Sequence, residues 1–155
     1  MTIERLDHIV LAVQQLQEAA ADWARVLGLQ AGASHQPDGS HLQLARLPLG
    51  ESDAQDAFLE LVADLGGEPA LSEAEGRSPS RSRRVARFIA DRGEGMFSIS
   101  LEVADLDAAV AELRAKQLPV SDPEPGVWPG TRLARIPRAS AHGVAVQLIE
   151  RSATS

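Results

Sequence analysis

The sequence predicts an α+β fold of two β-α-β-β-β modules paired around one cleft in a curved sheet. Three observations predict it. The first is an internal repeat. A shift of 90 positions lays His8 over Ser98, Ile9 over Ile99, Leu11 over Leu101, Val13 over Val103, Leu16 over Leu106 and Ala19 over Ala109. The second is a later strand repeated at nearly the same offset, 87, where "LELV" at Leu59 falls on "VQLI" at Val146 and pairs Glu60 with Gln147. Apolar matches alone are cheap, but their order across a strand, a helix and a second strand is not. The third is a change of texture over residues 66–84, rich in Gly, Pro, Ser and charge, which reads as a linker between the halves.

The elements follow in order. Residues 4–12 alternate as a strand with Leu6, His8 and Val10 on one face and Ile9 and Leu11 on the other. Both faces are mostly apolar, so the strand is expected to be buried on two sides. Residues 14–27 carry Leu16, Ala19, Ala20, Trp23 and Leu27 on one helical stripe, and Gly28 suits a C-cap. Strands are expected at 29–31 and 40–48, separated by the turn signal "QPDGS", and again at 56–63. A short helix over 84–91 closes the linker. The plan then repeats: a strand at 96–103, a helix over 105–116 with Asp105 as N-cap, a proline-rich loop "SDPEPGVWPG", and strands at 131–136 and 144–150. The expected division is a first module at 1–66, a linker with its helix at 67–95, and a second module at 96–152.

With 155 residues and 44% hydrophobic content, the chain can bury a core as one domain or two small halves. A net charge of −7 without a basic stripe argues against nucleic-acid binding. The lack of cysteine excludes disulfides, thiolate metal sites and cysteine nucleophiles, and fits a cytoplasmic protein. No apolar run approaches about 20 residues, so no membrane span is expected, and the N-terminus lacks a signal-peptide pattern.

Each central strand carries a polar residue at its midpoint: His8, His41 with Gln43, Glu60, Ser98 with Ser100, and Gln147. Leu42 and Leu44 claim the core side of their strand, which leaves His41 and Gln43 for the cleft. A carboxylate among leucines, as at Glu60, needs a cation or strong donors; a metal ion or a protonated His8 would serve. Trp128 is a loop aromatic placed to cap a cleft or to pin its own loop. "RSPSRSRR" is basic enough to hold phosphates, although such runs are more often solvated linkers. His35 and His142 read as loop residues.

The segments "RLDHIVLAVQQLQEAAADWARVLGL", "FLELVADLG", "VARFIADRGEGM", "SLEVADLDAAVAELRAKQLPV" and "HGVAVQLIE", in that order, resemble the vicinal oxygen chelate superfamily. Glyoxalases, bleomycin-resistance proteins and extradiol dioxygenases belong to it, and the resemblance is strongest to its methylmalonyl-CoA epimerases. It covers residues 5–150, interrupted near 67–80. The resemblance implies a glyoxalase-like fold, a homodimer, and a divalent ion (zinc, cobalt, nickel, manganese and iron being equally compatible) held on four strands. His8 and Glu60 match the first two ligand positions, and Gln147 is a weak fourth. Ser98 stands where the third ligand is a histidine, and His41 is a candidate to replace that lost imidazole. Gln43 and Gln147 stand where the epimerases carry proton-transfer carboxylates. An amide has no useful basicity, so standard epimerase chemistry is not expected. Two functions stay open. One is a metal-dependent lyase or isomerase that acts on a small carbonyl or acyl-thioester substrate through an enolate, with Glu60 as ligand or base. The other is a metal-free binding protein in which His41, Gln43, Ser98, Trp128 and Gln147 contact a small molecule.

Overall fold

The computed structural model describes residues 1–50, 57–67 and 80–152. It contains strands β1 (Ile3–Ala12), β2 (Leu42–Pro48), β3 (Phe58–Asp64), β4 (Gly95–Val103), β5 (Glu124–Pro125), β6 (Thr131–Ile136) and β7 (Val146–Arg151). Helices are α1 (Leu16–Leu27), α2 (Arg81–Arg92) and α3 (Leu106–Ala115), with a short 3-10 turn at Arg138–Ser140. The mixed α+β class is the expected one. The chain forms two compact units, Val10–Phe97 and the pair of segments Met1–Ile9 and Ser98–Ser155, so β1 and β4 each contribute to both.

In the unit Val10–Phe97, β2 and β3 pair antiparallel from Leu42 opposite Asp64 to Pro48 opposite Phe58. Leu42, Leu44, Leu47, Leu61 and Val62 are buried, and α1 and α2 pack on this hairpin. α1 ends where Gly28 turns left-handed at φ 70° and its N–H bonds the Ala24 carbonyl, as the C-cap pattern requires. The strand expected at 29–31 does not form. Just beyond it, the Gly32 N–H bonds the Arg46 carbonyl and His35 exchanges two backbone bonds with Leu44 of β2. Exposed Gln30 and Ala31 give a continuous ladder nothing to bury.

The helix expected at 84–91 starts earlier, at Arg81. Ser80 caps it by accepting a bond from the Arg83 N–H. Ser82 donates to the Asp64 carboxylate of β3, and Val85 is fully buried. The end of the arginine-rich run is thus a docked helix rather than a solvated linker; residues 68–79 lie outside the described residues.

In the other unit the strand order is β1-β4-β7-β6-β5. β4 and β7 pair parallel with Ser100 opposite Gln147, and β6 pairs antiparallel with β7. α3 covers them, burying Leu106, Ala109, Val110 and Leu113 against Val103, Ala134 and Leu148. Asp105 caps α3 as expected, accepting a bond from the Ala108 N–H at 2.8 Å. Asp105→Ala is expected to lower stability by about 1 kcal/mol, measured as a shift in urea midpoint at constant slope. The two-residue strand β5 lies within the stretch expected to be a plain loop, where Glu124 pairs with Leu133.

Candidate functional site

The unit that contains His8 carries a buried polar network. His8, Ser98, Ser100 and Gln147 are all between 0% and 4% exposed. The parallel register of β4 and β7 sets Ser100 beside Gln147, and the Ser100 hydroxyl donates to the Gln147 carbonyl oxygen at 3.1 Å. The same hydroxyl lies 3.0 Å from His8 Nε2. The hydroxyl has a single proton: if it goes to the Gln147 oxygen, the Nε2 contact takes a proton from Nε2, and if it goes to Nε2, the contact with Gln147 takes a proton from a flipped amide, so amide orientation and Nε2 protonation are coupled. His8 Nδ1 lies 2.6 Å from the Asp7 carboxylate.

Asp7 is the residue that sequence reasoning missed here. It too is buried, and Arg151 holds it with two bonds, Nε at 2.6 Å and Nη2 at 2.9 Å. Burial opposes its charge, but the His8 ring and the Arg151 guanidinium outweigh that penalty and hold the carboxyl well below the usual carboxylate range. An ionised Asp7 takes the Nδ1 proton of His8 as its donor, which fixes the ring's orientation. The available signal was a second polar residue, next to His8, in the stretch Leu6–Ala12, which is otherwise apolar on both faces. Ser98 lies two residues from Ser100 on the same face of β4, and its hydroxyl is buried without a partner among the described residues.

The unit Val10–Phe97 holds the other candidates. Glu60 is completely buried, as its leucine neighbours required. Its carboxylate meets the guanidinium of Arg81, whose side chain is only 12% exposed. A cation for Glu60 therefore comes from the first turn of α2. Arg46 is the cross-strand neighbour of Glu60 and stacks over the Phe58 ring at 4.0 Å. His41 is half-buried, and its Nδ1 lies 2.8 Å from the Gly66 carbonyl, a tie to the loop after β3. Gln43 is half-buried and reaches the Ser34 hydroxyl at 3.4 Å. A cavity of about 380 Å³ in this unit is lined by Leu11, Val13, Trp23 and Glu94, among others, and by none of the candidate residues.

Trp128 is half-buried in a tight turn, where its carbonyl accepts bonds from the N–H and the hydroxyl of Thr131. Gly126 allows that turn: a Cβ there would come within 2.1 Å of the Thr131 hydroxyl oxygen.

A divalent ion needs several donors with lone pairs left over. Among the described residues no three His, Cys, Asp or Glu side chains form such a group. The expected donors are already used: His8 on both nitrogens, Gln147 on its oxygen, and Glu60 on a guanidinium. Among the described residues, these side chains as they are bonded do not fit a divalent metal centre.

The family described as "Glyoxalase-like domain" matches residues 6–151. Comparison with curated proteins gives no match. Among solved structures, a variant of the Streptomyces coelicolor methylmalonyl-CoA epimerase in complex with 2-nitronate-propionyl-CoA superposes with a TM-score of 0.79 at 22% identity, over 98% of this chain and 100% of that one. The methylmalonyl-CoA epimerase of Mycobacterium tuberculosis gives 0.74 at 25% identity, over 97% and 89%. A hypothetical protein of Bacillus halodurans gives 0.76 at 25%, over 97% and 96%.

Proposed function

Because the chain belongs to the glyoxalase-like domain family, within the vicinal oxygen chelate superfamily, we propose that it binds a small acyl-thioester or carbonyl compound at the family's site without a resident divalent ion. Superfamily members commonly use a divalent metal there. The observation that carries the metal-free reading is the commitment of the metal-ligand candidates to protein partners. His8 is held between Asp7 and Ser100, and Glu60 is paired with Arg81. Ser98, Ser100 and Gln147 then act as neutral hydrogen-bonding groups for a ligand. The structures of similar proteins with 2-nitronate-propionyl-CoA and methylmalonyl-CoA support an acyl-CoA as the class to try first. With amides at Gln43 and Gln147, the reading assigns no inversion of methylmalonyl-CoA to this chain.

The test is elemental analysis of protein purified without chelator and dialysed against zinc or cobalt, alongside calorimetric titration with acyl-CoA thioesters. The expected result is thioester binding without stoichiometric metal. One equivalent of metal, lost in His8→Ala, would instead favour the metal-dependent lyase or isomerase.

A further inference from the structure

Buried hydroxyls in native proteins are nearly always bonded. The Ser98 hydroxyl is the one buried hydroxyl without a partner among the described residues. It therefore marks a place where a ligand or water supplies the acceptor. Beside it stand three groups whose contacts run in one line. The Asp7 carboxylate lies 2.6 Å from His8 Nδ1, and His8 Nε2 lies 3.0 Å from the Ser100 hydroxyl oxygen. All four residues belong to the unit of Met1–Ile9 and Ser98–Ser155, on the neighbouring strands β1 and β4.

A hydroxyl, an imidazole within hydrogen-bond reach and a carboxylate that orients the imidazole are the parts that activate serine nucleophiles on unrelated folds. The ionised Asp7 keeps the Nδ1 proton, so the neutral ring presents Nε2 as an acceptor to Ser100. The Gln147 amide then turns an N–H toward the same hydroxyl oxygen. Ser98 stands two residues along the same strand face, roughly 7 Å away. That spacing fits a carbonyl whose carbon lies about 3 Å from Ser100 Oγ and whose oxygen accepts the Ser98 O–H at about 2.8 Å.

We propose that Ser100 is a nucleophile for acyl transfer to water, with His8 as its base, acting on an ester or thioester of a small carboxylic acid. This goes beyond binding and needs no carboxylate on the acyl group. Oγ bonds the carbonyl carbon as its proton passes to Nε2, and the carbonyl oxygen takes the negative charge against the Ser98 O–H. The bond to the leaving oxygen or sulfur then breaks, and Nε2 gives the proton to that atom. Water next attacks the acyl carbon and gives a proton to Nε2, which passes it to Ser100 Oγ as the acid leaves. Asp7 acts as a positioning residue. Ser100 is fully buried, so reaction waits on an opening of this face and turnover is slow.

A fluorophosphonate probe traps activated serines, and peptide mass spectrometry locates it on the wild-type chain. The label is expected on Ser100. Wild type is also given S-phenyl thioacetate; because the chain has no cysteine, the released thiol is read without background. Cleavage is expected to fall at least roughly hundredfold in folded Ser100→Ala and His8→Gln. In Asp7→Asn it is expected to fall together with a move of the His8 proton from Nδ1 to Nε2, read in the nitrogen-15 spectrum. No label on Ser100, or cleavage that survives Ser100→Ala, would overturn the assignment, and the label needs no variant to fold. Acyl-CoA thioesters that bind wild type by calorimetry, without label or cleavage, would leave the binding reading standing alone. Label and cleavage without such binding would uphold the nucleophile and overturn that reading.

Discussion

Arg81→Ala is expected to destabilise the protein by about 3–5 kcal/mol, because it takes a guanidinium partner away from a carboxylate that has no exposure to solvent. Most of that loss is the cost of leaving the buried Glu60 charge less compensated rather than the worth of the pair. The double variant Glu60→Gln/Arg81→Gln should therefore recover a large part of it, since two amides can bond each other without burying charge. Urea denaturation at neutral pH checks both. A single variant as stable as wild type would mean that Arg81 is not what compensates the Glu60 charge. A double variant no better than the single would mean that the charge pair itself, not its imbalance, carries the stability.

Asp7→Asn is expected to cost about 2–3 kcal/mol, because it breaks a partly buried ion pair and alters the bond that orients His8. This variant also carries a pH signature. The folded state holds the Asp7 carboxyl below its ordinary value, so its contribution is fully present above about pH 4, the unfolded value. Below that the unfolded chain takes up the proton first, and the contribution falls as pH approaches the depressed folded value. Wild type should lose stability from about pH 4 downward, and Asp7→Asn should lack that component of the loss. Urea midpoints from pH 7 to about pH 3 make the comparison. Parallel curves for the two proteins would show that Asp7 is not the depressed group.

The strands and α3 were legible because their signals are local. Alternation marked β1 and β4, and Asp105 before an apolar stripe marked the start of α3. The repeat singled out Ser98 and Gln147, and the leucines around Glu60 announced its burial. The partners were not legible, because they depend on tertiary placement. Arg81 lies 21 residues from Glu60, in a run whose composition reads as solvated. Arg151 lies 144 residues from Asp7, so no spacing rule connects them. The position of His8 on β1 was legible, but the Asp7 and Ser100 contacts at its two nitrogens were not.

The occupation of those nitrogens is also the most direct test of a metal-free site. The nitrogen-15 correlation spectrum of the His8 side chain reports the proton on Nδ1 and the state of Nε2. A metal-free site requires a persistent Nδ1 proton bonded to Asp7 and no change at either nitrogen when one equivalent of zinc is added. A zinc-induced shift at Nε2, with matching uptake of metal, would contradict it.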